Sequence, residues 1–469
     1  MKYISTRGQG EPQTFEQVLL SGLAPDGGLY VPETWPSIDL GSLRGKSYCE
    51  IAEIVMYPFV EGCIERDDFR AIINETYGVD VFRNCDVTPL HHLQNYEGDK
   101  IYVMEQFHGP TIAFKDVALQ LLGRLFDHVL KKQKKRVTIV GATSGDTGSA
   151  AIEGCRSCDN IDIFILHPKG RVSDVQRKQM TCVDAPNVYN IALDGSFDDC
   201  QNMVKAMFND SDFRHGVNLS AVNSINWARI MAQIVYYFTT ALELGVADGK
   251  DVSFVVPTGN FGNVFAAYCA RNMGLPIKHL GISTNKNDIL TRFFETGEMK
   301  IGESFATVTP SMDIQISSNF ERYLFNLVGR DADHLAQLMQ EFKQNGSIRL
   351  SADLMETACR EFTAARADDD QTLGFIKECY DATGYILDPH TAVGMAGAKV
   401  IADKQESGSV VLLATAHPAK FPDAVEKAIG LRPDLPDHLA DLFDRREILV
   451  EQPNDMAVIQ DFVRKNSRA

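Results

Sequence analysis

Val252-Ser253-Phe254-Val255-Val256-Pro257-Thr258-Gly259-Asn260-Phe261-Gly262-Asn263 is the stretch of sequence that decides the fold. Its first five residues form an almost continuous apolar run, which is typical of a parallel strand buried on both faces. The loop after it is rich in glycine, threonine and asparagine, and it leads into a helix that we predict to begin at Val264. A buried strand, a glycine loop and a helix in this order indicate a doubly wound α/β sheet.

Four other short runs share this apolar composition and alternate with helical patterns. They are Ile101-Tyr102-Val103-Met104, Val137-Thr138-Ile139-Val140, residues 161–166 and residues 410–414. Buried strands separated by helices predict an α/β fold with doubly wound, mostly parallel sheets.

Residues 1–95 have a different pattern, with helices predicted over residues 14–21, 48–61 and 67–77. We therefore predict an N-terminal domain over residues 1–95. A large α/β domain is predicted over residues 96–136 and 215–469, and a small α/β domain over residues 137–214.

The composition limits the class of protein. Of the 469 residues, 44% are hydrophobic and 23% are charged, as in an ordinary globular protein. The 46 lysines and arginines against 63 aspartates and glutamates give a formal net charge of −17, which argues against nonspecific binding of nucleic acid or anionic membranes. Because no targeting segment and no long apolar run is evident, we predict a cytoplasmic protein with no nucleic-acid or membrane partner.

The ten cysteines are scattered along the chain, and only Cys155-Arg156-Ser157-Cys158 has a CxxC spacing. Since no second CxxC and no histidine pair accompanies it, we expect reduced thiols and no metal site.

Lys115 is the first candidate for chemistry. It lies in Pro110-Thr111-Ile112-Ala113-Phe114-Lys115-Asp116, at the start of a helix whose apolar stripe begins at Val117 and Leu121. The positive end of the helix dipole disfavours an ammonium there, so the neutral amine that attacks an aldehyde becomes easier to reach. Taken alone, the same seven residues are also compatible with a solvated Lys-Asp pair.

Two loops have a composition that allows backbone amides to close on an anion at a helix N-terminus. One is residues 257–263. The other is Gly141-Ala142-Thr143-Ser144-Gly145-Asp146-Thr147-Gly148-Ser149-Ala150, before a helix that we predict to begin near Ala151. Neither loop has the spacing of a P-loop or of a dinucleotide fingerprint, which argues against ATP and NAD. Either loop alone is equally compatible with a plain turn.

A reactive lysine, two anion-binding loops and a doubly wound sheet are together what a pyridoxal-phosphate enzyme requires. Eight segments spread from end to end of the sequence carry a resemblance to a known family. They are Tyr3-Ile4-Ser5-Thr6-Arg7-Gly8, Gly22-Leu23-Ala24 through Asp26-Gly27-Gly28-Leu29-Tyr30-Val31-Pro32, Phe114-Lys115-Asp116, Ser144-Gly145-Asp146-Thr147-Gly148, Ser224-Ile225-Asn226-Trp227-Ala228-Arg229, Gly259-Asn260-Phe261-Gly262-Asn263, Ser317-Ser318-Asn319-Phe320-Glu321-Arg322 and Thr415-Ala416-His417-Pro418-Ala419-Lys420-Phe421. With these segments the sequence resembles the threonine synthases, which belong to the fold type II, tryptophan-synthase-β-like enzymes.

The resemblance implies that pyridoxal 5′-phosphate binds in a cleft between two domains. By position, Lys115 matches the lysine that forms the Schiff base. Thr415 matches a hydroxyl residue that faces the pyridine nitrogen and leaves the ring a weaker electron sink than a carboxylate partner would. The loop that binds the cofactor phosphate in this family is matched by Gly259, Asn260, Phe261, Gly262 and Asn263.

The resemblance also implies substrate-binding residues in two groups. The loop that binds the carboxylate of the amino acid in this family is matched by Ser144, Gly145, Asp146 and Thr147. The residues that bind the substrate phosphate in this family are matched by Ser224, Asn226 and Arg229. The same segment is also compatible with a helix capped by Ser224 or Asn226. Asp146 stands where the broader superfamily commonly has asparagine, and a carboxylate there repels the phenolic oxygen of the cofactor unless it is protonated or turned away.

Two further residues are weaker candidates. Lys286 could contribute to substrate binding, but a lysine in a loop is usually solvated. His417 is expected to make a structural hydrogen bond rather than to transfer a proton.

The implied reaction converts O-phospho-L-homoserine and water to L-threonine and phosphate by β,γ-elimination and replacement, with Lys115 as the base. Two alternatives remain open. One is a related pyridoxal-phosphate lyase or dehydratase acting on a small hydroxy or phosphohydroxy amino acid. The other is a noncatalytic paralogue that binds a phosphorylated ligand. The sequence leaves open whether the protein is a monomer or a homodimer.

Overall fold

The structure is a computed structural model that describes residues 1–143, 145–405 and 407–469. The chain divides into two compact units. Unit 1 consists of Met1–Val18, Leu23–His108 and Ser224–Pro433, and unit 2 consists of Leu19–Gly22, Gly109–Asn223 and Asp434–Ala469. Each unit contains a parallel sheet of its own, which confirms the predicted α/β fold class.

Helices and strands alternate through most of the chain. The strands are β1 (Tyr3–Ser5), β2 (Tyr30–Pro32), β3 (Leu90–His92), β4 (Ile101–Glu105), β5 (Val137–Ala142), β6 (Ile161–Pro168), β7 (Val188–Asp194), β8 (Leu219–Ser220), β9 (Val252–Pro257), β10 (Ile277–Thr284), β11 (Glu298–Lys300), β12 (Ser347–Arg349), β13 (Phe362–Arg366), β14 (Ser409–Ala414) and β15 (Val450–Pro453). The helices are α1 (Phe15–Ser21), α2 (Tyr48–Val60), α3 (Arg66–Tyr77), α4 (Lys115–Gln133), α5 (Asp146–Cys155), α6 (Asp174–Thr181), α7 (Phe197–Asn209), α8 (Ser211–Gly216), α9 (Trp227–Glu243), α10 (Gly262–Asn272), α11 (Ile289–Thr296), α12 (Phe320–Leu327), α13 (Ala332–Asn345), α14 (Ala352–Glu361), α15 (Asp369–Thr383), α16 (Pro389–Lys404), α17 (Pro422–Ile429) and α18 (Met456–Asn466).

The main sheet of unit 1 has the strand order β13-β10-β9-β14-β4-β3, and all its pairs are parallel except β3 with β4. Every residue of β9 is buried, as its apolar run predicts. On one face, α16 contributes Met395 and Ile401 to a core shared with Val255 of β9 and Leu412 of β14. Because β9, β14 and β4 are parallel, their carboxyl ends meet at one edge of this sheet, where ligands of such folds bind.

The N-terminal helices form as predicted, and α2 and α3 lie within a residue or two of the expected bounds. Their region shares its core with α9, because the ring of Trp227 lies 5.6 Å from that of Phe59 and 6.0 Å from that of Tyr3. The hydroxyl of Tyr3 also donates to the carbonyl of Phe59 at 2.7 Å.

Unit 2 is built on the strand order β15-β7-β6-β5-β8, with all pairs parallel. Its central strand β6 is buried along its entire length. Two of its strands, β8 and β15, come from outside residues 137–214, and β15 has the polar sequence Val-Glu-Gln-Pro of an edge strand, which gives little apolar signal. The three domains that we predicted from the sequence do not coincide with these two units. The three-domain division stays a prediction.

Two helices begin earlier than predicted. Helix α5 begins at Asp146 rather than near Ala151, and α10 begins at Gly262 rather than at Val264. In each case the residue before the helix has a positive φ, +149° at Gly145 and +60° at Phe261, and it turns the chain sharply into the helix. The polar residues that we assigned to loops therefore form the first helical turns. Among the described residues, no helix is long and apolar enough to cross a membrane.

Candidate active site

Lys115 is the first residue of α4, and a tight turn fixes its position in unit 2. The carboxylate of Asp116 accepts the backbone amide and the hydroxyl of Thr111, both at 2.8 Å. Ile112 lies in the left-handed region with φ +53°, and a Cβ on Gly109 would lie 2.5 Å from that of Asp116. The turn before the lysine is therefore held by buried contacts, unlike the solvated Lys-Asp pair that the short sequence alone allowed.

The amine of Lys115 faces Asp146, the first residue of α5. Its Nζ lies 3.2 Å from Oδ2 of Asp146, and the two side chains are only 12% and 7% exposed. The other carboxylate oxygen, Oδ1, accepts Nε2 of Gln176 at 2.7 Å. Ser173 in turn donates to Oε1 of Gln176 at 2.9 Å. Asp146 is thus held on one side by an amide and directed on the other toward the lysine.

Gln176 was not predicted as a site residue, because only the tertiary structure brings α6 to the start of α5. The contact also explains Gly145, since a Cβ there would lie 2.3 Å from Cδ of Gln176. The hydroxyl of Thr143 accepts the amides of Gly145 and Gly148 at 3.0 and 2.9 Å. Thr147 follows in the first turn of α5. Ser144, which we predicted to bind the substrate carboxylate, lies outside the described residues.

Helices α4 and α5 approach each other closely enough to bring Lys115 to Asp146. A Cβ on Gly123 of α4 would lie 2.0 Å from the carbonyl oxygen of Gly154 in α5. A Cβ on Gly154 would lie 2.4 Å from the carbonyl oxygen of Leu119. Only glycine at both positions allows the two backbones to touch in this way, so the helix pairing sets the distance between the charged groups.

In unit 1, the loop between β9 and α10 has its carbonyl groups held by residues 317–319. Ser317 donates its hydroxyl to the carbonyl of Gly259 at 2.7 Å, and Asn319 donates both its backbone amide and its side-chain Nδ2 to the carbonyl of Asn260 at 3.0 Å. In a trans peptide the N–H points away from the C=O, so the amides of Asn260 and Phe261 point away from these donors.

Within the described part of the chain, the amides of Asn260 and Phe261 donate to no backbone carbonyl. They also lie at the N-terminus of α10, where the helix dipole favours negative charge. Backbone amides placed in this way have the chemistry to bind an anion such as a phosphate.

Asn263 plays a different part from its neighbours in the loop, because its side chain points into the core. Its Oδ1 accepts the hydroxyls of Tyr236 and Tyr237 at 2.6 and 2.7 Å, and its Nδ2 donates to Oε1 of Gln106 at 3.2 Å. The side chain of Asn263 thus fixes the first turn of α10, which positions the amides before it.

Thr415 follows β14 at the same edge of the sheet as the glycine loop. Strand β14 pairs with β9 with Leu412 opposite Val255, so Thr415 and Thr258 each come three residues after this pair on neighbouring strands. The backbone amide of Thr415 donates to the hydroxyl of Thr391 at 3.2 Å, and that hydroxyl bonds to the carboxylate of Asp388. Thr415 is thereby held in place, and it presents a neutral hydroxyl.

Ser224, Asn226 and Arg229 are brought together at the start of α9 in unit 1. Asn226 is the N-cap, and its Oδ1 accepts the amide of Ala228 at 3.0 Å. Arg229 is only 4% exposed, and burial lowers the pKa of its guanidinium to about 10. The capped-helix interpretation is therefore correct for Asn226, and a buried guanidinium, a group whose chemistry suits a phosphate, follows one turn later.

The weaker candidates lie elsewhere in unit 1. Lys286 is exposed after β10, and its Nζ lies 4.3 Å from the ring centroid of Phe305. Nδ1 of His417 accepts the amide of Ala419 at 3.2 Å, which is the structural hydrogen bond that we expected of it.

Three family descriptions match the chain. "Pyridoxal-phosphate dependent enzyme" matches residues 81–416, "Threonine synthase N terminus" matches residues 2–77, and "Threonine synthase, C-terminal" matches residues 391–463. A threonine synthase of Pseudomonas aeruginosa is 54% identical over 467 residues, which cover 99% of this chain and 98% of that protein. The chain belongs to the threonine synthase family.

Solved threonine synthases share its fold. The pyridoxal-phosphate-bound threonine synthase from Brucella melitensis is 50% identical, covers 100% of both chains and superimposes with a TM-score of 0.96. The threonine synthase from yeast is 39% identical, covers 99% of this chain and 98% of its own, and gives a TM-score of 0.94. The predicted family, the threonine synthase function and the pyridoxal-phosphate cofactor are thereby confirmed.

Each unit, taken by itself, contains residues whose chemistry fits this cofactor. Lys115 supplies a primary amine on a fixed helix start, and the loop at Gly259–Asn263 supplies outward-facing amides suited to a phosphate. Thr415 supplies a neutral hydroxyl at the same edge of the sheet as that loop. The role of each residue stays a prediction.

Proposed function

We propose that this threonine synthase acts as a carbon-oxygen lyase on O-phospho-L-homoserine, which it converts with water to L-threonine and phosphate. The observation that supports the proposal is that two separate helix starts in unit 1 have the chemistry to bind an anion. One is the N-terminus of α10 with its outward amides, and the other is the start of α9 with the buried Arg229. A phosphorylated cofactor and a phosphorylated substrate together require two such elements.

The cofactor-binding residues in the proposal are Lys115, the five loop residues and Thr415. When bound, pyridoxal phosphate would supply an electron sink for the substrate carbon atoms. Lys115 would hold the aldehyde of the cofactor through Nζ, and the same nitrogen, when free, would accept and return protons. Thr415 would offer its hydroxyl to the ring nitrogen.

Asp146 contributes through its charge. Its carboxylate lies beside Nζ of Lys115, so an ammonium on the lysine has a nearby counter-ion. The repulsion that we expected between Asp146 and the phenolic oxygen is reduced while the negative charge is directed toward the amine. Gly145 and Thr147 flank this carboxylate and, with Ser144, belong to the proposed site for the substrate carboxylate.

The substrate phosphate is assigned to Ser224, Asn226 and Arg229. A guanidinium donates two parallel hydrogen bonds to a phosphate, and hydroxyl and amide groups add further donors. Because Arg229 is buried, its interaction with a phosphate is screened less by solvent than that of a surface arginine.

The proposal is tested by adding O-phospho-L-homoserine to the purified enzyme while recording the visible absorption spectrum and released phosphate in one cuvette. We expect the spectrum to change on substrate addition, with one threonine formed for each phosphate released. Formation of 2-oxobutyrate instead would indicate a dehydratase or another lyase. A colourless protein that borohydride leaves unchanged would indicate a noncatalytic paralogue. The monomeric or homodimeric state and the cytoplasmic location stay predictions.

A further inference from the structure

Asn319 is completely buried in unit 1 and bridges two segments that are distant in sequence. Its Nδ2 donates to the carbonyl of Asn260 at 3.0 Å and to the carbonyl of Ser224 at 3.2 Å. These acceptors lie 59 and 95 residues away along the chain. One amide nitrogen thus contacts both the cofactor loop and the segment assigned to the substrate phosphate.

Arg322 determines which way the amide of Asn319 faces. Its Nη1 donates to Oδ1 of Asn319, so the oxygen of the amide is fixed toward the guanidinium and the nitrogen toward the two carbonyls. The guanidinium is itself buried, and it donates from Nε to the carbonyl of Tyr30 at 2.9 Å and from Nη2 to the carbonyl of Ile225 at 2.6 Å.

The two side chains therefore hold three carbonyl groups in the two segments that contain candidate site residues. The carbonyls of Asn260 and Ser224 are held by Asn319, and the carbonyl of Ile225 is held by Arg322. Because N–H and C=O point in opposite directions across a trans peptide, each held carbonyl directs the next amide in the chain to the opposite side. Those amides belong to Phe261, Ile225 and Asn226.

We propose that Asn319, oriented by Arg322, is a positioning residue that sets the cofactor-phosphate loop and the substrate-phosphate segment together. The inference rests on the proposed function only for the identity of the second phosphate. Asn319 contacts neither ligand in this proposal. It acts by fixing the direction of backbone donors at both places, so a change in its donor atom alters both binding events at once.

The decisive variant is Asn319→Asp, which keeps the shape of the side chain and its bond to Arg322 but replaces the donor by an oxygen that repels the two carbonyls. Two equilibria are measured besides activity. They are the dissociation constant of pyridoxal phosphate for the apoenzyme, followed by absorbance, and that of inorganic phosphate for the holoenzyme, followed by calorimetry. We expect both constants to rise about tenfold, as the loss of a buried hydrogen bond predicts.

Three further variants separate coupling from a general loss of structure. Asn319→Ala is expected to raise both dissociation constants as well, with a lower melting temperature. Ser318→Ala removes only the bond from Ser318 to the side chain of Asn260, so it is expected to weaken the cofactor and leave inorganic phosphate binding unchanged. Asn326→Ala is the matched control, because Asn326 lies on α12, the helix that Asn319 precedes, and its Nδ2 donates to the carbonyl of Arg322 at 2.8 Å, so neither constant is expected to change.

A rise in only one of the two constants in Asn319→Asp would overturn the inference, and so would no rise in either. An equal rise in Asn326→Ala would also overturn it, because the effect would then be that of a destabilised helix. Failure of the proposed function has a different signature, since the wild-type enzyme would then form no threonine from O-phospho-L-homoserine. The two titrations would still test the coupling in that case.

Discussion

The loop Gly259–Asn263 and the pair of Lys115 with Asp146 are positioned by opposite means. In the loop, the buried side chains of Ser317, Asn319 and Tyr237 bind backbone carbonyls, and the groups that we propose to bind a phosphate are amides that face the other way. In the pair, backbone contacts between α4 and α5 determine the geometry, and the functional groups are charged side chains.

The difference follows from what each region does in the proposed reaction. A phosphate group stays bound throughout, so its donors are best fixed by many hydrogen bonds that never change. A lysine that exchanges partners and moves protons needs a side chain that can rotate, close to a charge that stabilises one of its states. Substitutions in the two regions are therefore expected to alter different kinetic constants.

The largest effect is expected from Lys115→Ala, because it removes the amine that we propose as both the cofactor anchor and the base. Loss of the nucleophile and base is expected to lower turnover at least about 10³-fold and to remove the visible absorption of the cofactor Schiff base. Threonine formation and an absorption spectrum check both. Lys131→Ala, an exposed lysine in the last turn of the same helix, is the control and is expected to match wild type. Normal turnover in Lys115→Ala would contradict the assignment.

Arg229→Lys probes the second proposed phosphate site, in α9, and is expected to lower kcat/KM about 50-fold through KM, because an ammonium cannot make the paired hydrogen bonds of a guanidinium. Burial lowers the pKa of Arg229 to about 10, so the guanidinium stays charged at pH 7 to 9. The same burial acts on a lysine that starts from a lower pKa, so the variant loses charge as the pH rises.

The expected signature in Arg229→Lys is a KM that increases between pH 7 and 9, whereas the wild-type KM stays flat. Arg360→Lys provides the matched control, because Arg360 is 70% exposed in α14 and is not a candidate site residue. A flat KM in both variants would show that Arg229 does not contact the substrate phosphate.

Local sequence patterns were sufficient to predict the elements that carry the site. The apolar run of Val252–Pro257 is a fully buried strand, and Lys115 begins a helix as the stripe after it predicts. Both follow from hydrophobic periodicity, which depends on neighbouring residues only. Asn226 as an N-cap also follows from local sequence.

The parts that sequence could not predict depend on distant residues. Gln176 holds Asp146 across 30 positions, and Asn319 holds Ser224 across 95 positions. The helix start at Asp146 was also missed, because a glycine at φ +149° is compatible with a long loop or with an abrupt helix start. Gln176 occupies the space where a Cβ at position 145 would lie, so the packing of α6 against this turn requires a glycine there. Local sequence does not show that packing.

Asp146→Asn tests the region that depends on charge, and it is expected to lower kcat about 20-fold with little change in the binding of inorganic phosphate. The substitution removes an anion that is 7% exposed beside the lysine. It also replaces one carboxylate oxygen by an NH2 group, so either Nζ of Lys115 or Nε2 of Gln176 loses its acceptor. Steady-state kinetics and calorimetry provide the two measurements. Asp174→Asn on α6 removes an aspartate that is 77% exposed and serves as the control. Wild-type kcat in Asp146→Asn would mean that this family member uses the position as the asparagine-containing superfamily does.

The smallest effect is expected from Thr415→Val, which exchanges a hydroxyl for a methyl group of nearly the same size. The backbone amide of residue 415 still donates to Thr391, so the fold at the end of β14 is retained and only the partner of the ring nitrogen is lost. The loss of one neutral hydrogen bond is expected to lower kcat about fivefold and to shift the absorption maximum, while Thr415→Ser keeps both values close to wild type. An unchanged spectrum and rate in Thr415→Val would remove Thr415 from the cofactor site. The amides of the glycine loop would then be the part of unit 1 that remains assigned to the cofactor.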